Sequence, residues 1–155
     1  MKKMVLMIVL AVALGFVALA QAGEIFTFNI FPPVKIIQPD PGLKELTAFS
    51  GTWSGTWPGH TPFLLFVEEI NEKSATIVYA WGNNLRYKLN SGAVRQKAQV
   101  VVRGDEKPRL ESVSGEARLT FILLSNGSLD AFWVGRGSPL RAIANRTDGN
   151  GGVIK

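Results

Sequence analysis

The chain has 155 residues, enough for one domain, with 17 Lys and Arg against 12 Asp and Glu, one His and no Cys. The missing Cys excludes a disulfide-stapled scaffold, a thiolate zinc site and a Cys nucleophile, and the lone His60 excludes a multi-histidine metal site and argues against a Ser-His-Asp enzyme. The basic excess is scattered singly, without the patch that a nucleic-acid binder concentrates on one face, so nucleic acid is not an expected partner.

Eighteen of the first 22 residues are apolar. Met1-Lys2-Lys3 is a short positive segment, 4–19 is an apolar run broken only by Gly15, and Ala20-Gln21-Ala22 puts small residues where a signal peptidase reads them. This pattern predicts a signal peptide over 1–22, cleavage before Gly23, and a secreted or periplasmic protein with no stable membrane span afterwards. An uncleaved anchor is the alternative, because the run falls only slightly short of the about 20 residues that cross a bilayer. No Cys follows the run, which excludes a lipoprotein anchor. Loss of Lys2 and Lys3 takes the formal charge from +5 to +3, and all three Met residues, within the first seven positions, leave as well.

Residues 23–47 read as an extended Pro-rich arm. Phe26, Phe28 and Ile30 alternate as in a short strand, and then Pro32-Pro33 and Pro39-Asp40-Pro41-Gly42 block a helix or central strand, since proline lacks a donor and fixes φ. From residue 48 to 147 the pattern is β throughout, followed by a flexible Gly-rich tail, 148–155. Apolar runs at 49–57, 63–70, 75–81, 85–89, 98–103, 109–113, 117–124, 129–134 and 140–146 are separated by turn residues at intervals near ten. Strands this close leave no room for crossover helices, so neighbours are antiparallel, and eight or nine of them close on themselves to avoid exposed edges. The fold class is therefore all-β, a small antiparallel up-and-down barrel.

Asn126-Gly127 suits a two-residue type I′ turn, in which both central residues have positive φ. That register sets Leu124 opposite Leu129 and Phe121 opposite Phe132. It places Phe121, Leu123 and Phe132 on one face and Ile122, Leu124, Ala131 and Trp133 on the other, a hairpin covered on both sides.

Phe49 to Trp57 alternates strictly: Phe49, Gly51, Trp53, Gly55 and Trp57 on one face, Ser50, Thr52, Ser54 and Thr56 on the other. Glycines between bulky rings let a strand curve and let rings pack over bare backbone. Three readings stay open: the Trp face lines a cavity for an apolar or sugar ligand, the hydroxyl face lines one for a polar ligand, or the tryptophans simply fill the core.

Gly51-Thr52-Trp53, repeated as Gly55-Thr56-Trp57, resembles the first-strand Gly-x-Trp of lipocalin-type (calycin) barrels. The resemblance implies an eight-stranded barrel whose base is closed by Trp53 and an Arg near the end of the last strand. Arg146 fits that place better than Arg141, because the last strand of such a barrel ends at the rim where the first begins. The longer pattern, running on through Leu65-Phe66-Val67-Glu68-Glu69-Ile70 and Ala75 to Gly82, is similar to small secreted or envelope β domains of bacteria. It implies fold and location, and no reaction.

Chemistry-bearing residues are sparse. Glu68 and Glu69 are adjacent on a strand and face opposite ways, so they are not a glycosidase pair; one is expected outward and the other at the strand end or on an Arg. No nucleophile elbow or phosphate-binding glycine loop is present. His60 follows Pro58-Gly59 in a turn and reads as solvated, as do Arg136 and Arg141 beside a Gly-rich turn. The expectation is a non-catalytic binding protein with no metal and no cofactor. It would hold a small apolar or amphipathic ligand near Trp53, Trp57, Tyr79, Trp81 and Trp133. The alternative is a protein-interaction or inhibitor module of the cell envelope that uses the Pro-rich arm and the barrel rim.

Overall fold

The structure, a computed structural model, describes residues 17–21, 24–28 and 33–147, with side chains from residue 33 onward. The expected signal segment, apart from 17–21, and the tail 148–155 lie outside the described residues. Strands β1 (Val17–Gln21) and β2 (Glu24–Phe28) form a separate antiparallel pair. Eight further strands make a closed antiparallel barrel in which each pairs with its neighbour in sequence and the last with the first. They are β3 (Gly51–Trp57), β4 (Thr61–Ile70), β5 (Ser74–Trp81), β6 (Gly92–Val101), β7 (Arg109–Ser114), β8 (Ala117–Leu123), β9 (Leu129–Val134) and β10 (Leu140–Thr147).

The eight-stranded up-and-down barrel is what the strand spacing implied, with one run reassigned. Residues 85–89 are not a strand. They hold a single 3-10 turn, η2 (Leu85–Tyr87), because the Asn84 side chain accepts from the Tyr87 N–H and Lys88 turns left-handed at φ 53°. An Asn that bonds the backbone two or three residues on offers the chain an alternative to a ladder. β6 begins earlier than its apolar run, since Arg95 and Lys97 lie outward between the inward Val94, Gln96 and Ala98.

Strand alternation sorts the barrel into two surfaces. Trp53, Trp57, Phe63, Leu65, Val67, Ile77, Tyr79, Leu110, Phe121 and Leu129 point inward and form the main core. The aromatic face of β3 is therefore the inner one. Gly55 serves it directly: a Cβ there would lie 2.6 Å from the Phe63 ring and 2.9 Å from the Ile143 carbonyl. Only a residue without a side chain lets Phe63 cross the strand between the two tryptophans.

The type I′ hairpin expectation is corrected by one residue. The Gly127 N–H donates to the Leu124 carbonyl and the Leu124 N–H to Ser128, while only Gly127, and not Asn126, has positive φ. This is a type I turn followed by a left-handed glycine, a three-residue loop, so Leu123 faces Leu129 and Phe121 faces Ala131. A slip of one residue exchanges faces along one strand. Ala131 and Trp133 thus join Phe121 inside, and Phe132 turns outward. Among the described residues no second layer covers the outer face there. Phe132 is half-buried under the Arg141 guanidinium, 5.6 Å from its ring centre.

The arm takes two forms. Residues 33–40 have no regular structure, whereas 41–49, expected to be extended up to 47, form a kinked 3-10 segment, η1 (Pro41–Phe49). Proline is tolerated in the first turn, where its missing N–H costs nothing, and Asp40 caps that turn by accepting from the Gly42 N–H at 2.8 Å. The earlier stretch lies on the outer wall. Val34 and Ile36 cover Leu64, Phe66, Val78 and Ala80, which is why β4 is buried on both faces.

Candidate functional site

The two ends of the barrel differ. At the first end lie the start of β3, the end of β10 and η1. Trp53 is 0% exposed and pairs in register with Arg146, whose guanidinium sits 4.4 Å above the indole centre. Arg146 donates to the Ser50 and Ala48 carbonyls at 2.6 and 2.5 Å, and the Trp53 Nε1–H donates to the Phe49 carbonyl at 2.9 Å. Two side chains thus take up three consecutive carbonyls at the end of η1, groups a helix terminus otherwise leaves orphaned. Burial holds the Arg146 guanidinium below its ordinary pKa without discharging it. Gly51, at φ 118°, leaves room for the guanidinium, since a Cβ would fall 2.6 Å from Nη1. Leu46 of η1 packs on the core beneath, and this end is sealed.

The opposite end is open in that η1 does not cover it, and four rings there contact one another in a chain. Trp57 stacks on Phe63 at 4.6 Å between centres, Phe63 meets Tyr79 at 6.0 Å, and Tyr79 stacks on Trp81 at 5.7 Å. Trp57, Phe63 and Tyr79 are buried, at 4%, 0% and 8% exposed, and Trp81 is half-buried at the rim. The Trp57 Nε1–H donates to the Tyr79 hydroxyl at 2.9 Å and that of Trp81 to the Asn90 carbonyl at 2.9 Å. Desolvation pushes the Tyr79 phenol up to about 12, against the opposing effect of the Trp57 hydrogen bond. Trp133, also half-buried, lies across Gly135 as Trp81 lies across Gly92, each ring seated on bare backbone.

Two polar features accompany these rings. Gln96, inward on β6 and level with Ile77, has a buried Nε2 with no hydrogen-bond partner. Beside it the wall thins. The β6–β7 ladder registers three residue pairs, Gln99–Glu111 to Val101–Arg109, although both strands run further towards the open end. There the Ser112 hydroxyl reaches the Lys97 carbonyl at 3.4 Å.

Of the residues singled out in sequence, Trp57, Tyr79, Trp81 and Trp133 face the open half of the barrel, and Trp53 lies with Arg146 in the sealed end. On β3 the Phe63 ring, crossing at Gly55, lies between Trp53 and Trp57, although all of them share one core. Phe63 and Gln96 belong with the open group although sequence reasoning passed over them. For Gln96 the signal is strand alternation counted from Ala98, whereas Phe63 is reached only through its cross-strand register with Trp81. Among charged residues, Glu68 pairs with Arg95 at 2.7 Å, Asp130 with Arg141 at 2.8 Å, and Glu116 with Arg136. His60 is exposed in its turn.

Glu68 also binds the arm. It sits at a register shift between Val67 and Glu69, its carboxylate accepts from the Lys35 N–H at 2.9 Å, and its carbonyl accepts from Ile37 at 2.7 Å. Arg95 spans Glu68 and the Pro33 carbonyl. Burial opposes ionisation of Glu68, but hydrogen bonds from Arg95 and the Lys35 N–H, with the Arg95 charge, outweigh it and hold the carboxyl below its ordinary value.

The chain matches no model of a known protein family and no curated protein sequence.

Proposed function

We propose that this is a secreted or periplasmic, non-catalytic binding protein that takes a small apolar or amphipathic molecule at the Trp-lined open end of its barrel. The observation that carries the reading is the ring chain Trp57–Phe63–Tyr79–Trp81, three buried rings ending on the partly buried Trp81, with Trp133 at the same end of the barrel. Aromatic faces give a large apolar contact at low conformational cost, and clustered at a barrel mouth they favour a flat or chain-like apolar body. The unpartnered Gln96 Nε2 favours an amphipathic ligand over a purely apolar one, because an acceptor on the ligand would satisfy a donor otherwise left buried and unpaired. The export assignment rests on the N-terminal pattern at 1–22.

A partner-binding module working through the Pro-rich arm is less favoured, since residues 33–37 are clamped to the barrel's own wall by Glu68 and Arg95. Titration with fatty acids and hydrophobic dyes, followed by tryptophan fluorescence, tests the reading. Saturable quenching or a blue shift is expected, weakened in Trp81→Ala and in Gln96→Leu for ligands with a polar head. A folded protein whose emission none of these compounds alters would overturn it.

A further inference from the structure

The loop between β5 and β6 stands at the open rim and reads Leu85-Arg86-Tyr87-Lys88-Leu89, apolar and basic residues in alternation. Leu85 is 88% exposed and Tyr87 58%, and Leu89 is exposed too. This display is built. The buried Asn84 carboxamide donates to the Gly59 carbonyl at 2.8 Å and the Thr61 hydroxyl at 2.6 Å, tying the loop to the β3–β4 turn. Asn84 and Leu89 exchange backbone hydrogen bonds at 2.8 and 2.9 Å and close the loop's neck. Tyr87 lies against Gly59, and the Arg86 guanidinium stands 5.7 Å from the Tyr87 ring centre. A loop so firmly tied holds apolar side chains in water, an arrangement that is relieved when they leave it.

We propose that this loop is a membrane-contact tip that seats the open end of the barrel on an anionic lipid bilayer. Size and charge both select that partner. Five residues offer far less than the roughly 800 Å² per side of a stable protein interface. A bilayer, by contrast, accepts a single protruding Leu among its acyl chains, a Tyr at headgroup level, and Arg and Lys against its phosphates. Among the described loop residues of the open end, the charges are Arg86, Lys88, and Arg136 paired with Glu116. The sealed end gathers the acids Asp40, Glu45, Glu72, Asp105 and Glu106 among Lys44, Lys73, Arg103 and Lys107. The loops of the open end thus carry the net positive charge, while acids and bases balance at the sealed end once Arg146 is included, and an anionic surface draws the loop end towards it. The tip stands independently of ligand capture, since none of its residues belongs to the ring chain.

The absence of Cys gives a clean test on the full chain. Leu85→Cys carrying an NBD fluorophore is mixed with vesicles of phosphatidylglycerol and phosphatidylcholine, or of phosphatidylcholine alone, and Val102→Cys at the sealed end serves as the control. NBD at 85 is expected to shift blue and be quenched by nitroxide lipids on anionic vesicles only, while the label at 102 stays aqueous. Adding Arg86→Gln and Lys88→Gln lowers the apparent vesicle affinity about tenfold or more, and raised salt does the same. Three results would overturn the proposal. Vesicle binding with the label at 85 still aqueous would place attachment elsewhere, including at the apolar N-terminal run. Equal insertion into neutral vesicles would remove the basic residues from the account. A vesicle-independent shift that grows with protein concentration would make the tip a contact between copies of this chain.

Discussion

The two ends of one small barrel solve opposite problems with the same residue types. At the sealed end Trp53 and Arg146 donate to the carbonyls of Ala48, Phe49 and Ser50, and an indole is used as filler and donor. At the open end Trp81 and Trp133 are only partly buried, a buried amide of Gln96 is unpaired, and Leu85 stands in water. The difference teaches that tryptophan content alone says little about binding. What separates the two roles is whether the ring's surroundings have used up its surface and its polar neighbours. Stability and recognition are then expected to respond to different substitutions.

The largest expected effect is at the sealed end. Trp53→Ala empties a fully buried site and frees the Phe49 carbonyl, and should cost about 3–5 kcal/mol, a large share of a small domain's stability. Trp81→Ala should cost clearly less, about 1–2 kcal/mol, because its ring is already partly wet in the folded protein. Urea midpoints measure both. Equal losses would show that the open end is as structural as the sealed one and break the comparison.

Gly55→Ala comes next. Its Cβ would press on the Phe63 ring and on the backbone at Ile143, and the backbone cannot rotate away. Overpacking of about 1–3 kcal/mol is expected. The strain falls on Phe63, the ring that joins the ends, so fluorescence from the stacked Trp57 should change along with the denaturation midpoint.

Much of this was legible in sequence, for identifiable reasons. The β3 alternation from Phe49 to Trp57 marks two pure faces, and turn residues near every tenth position count the strands. What failed was local backbone chemistry. Asn126-Gly127 fits two turn types, and the structure's choice, with Asn126 at negative φ, put Trp133 instead of Phe132 on the face of Phe121. Residues 85–89 alternate like a strand, yet Asn84 diverts them into a tied loop. The site was less legible than the fold. Strand period brings Trp57, Tyr79 and Trp81 inward, but their neighbourhood at one end, apart from Trp53, depends on strand direction and register around the whole barrel. The Glu68–Arg95–arm clamp joins residues 62 positions apart, and no local pattern announces it.

Tyr79 belongs to both ends: buried like the first, stacked in the ring chain of the second. Its phenol ionises at about 12 in the fold and at 10.0 when exposed, so folding favours the protonated form. The stabilisation is whole below pH 10 and declines by about 1.4 kcal/mol per pH unit as pH rises towards 12. Alkaline titration followed by tyrosinate absorbance should show one delayed phenol, advanced in Trp81→Ala as water reaches the ring.

The smallest effect concerns the outer wall. Glu68 has its folded pKa lowered beneath 4.5, so its hold on Lys35 and Arg95 is complete above that value and is lost as pH falls through the folded value. Acid should therefore free residues 33–37 before the barrel opens, at a cost of about 1 kcal/mol, since Arg95 is partly solvated. The Lys35 and Ile37 amides, bonded to the Glu68 carboxylate and carbonyl respectively, report it separately. Lys35 should lose hydrogen-exchange protection first and Ile37 with it only if the arm leaves as a unit. Glu68→Gln should produce the same loss at neutral pH while the Trp53 end keeps its protection. If both regions loosened together, the arm would be part of the seal, and the sealed end would extend along the outside of the barrel as well as across its base.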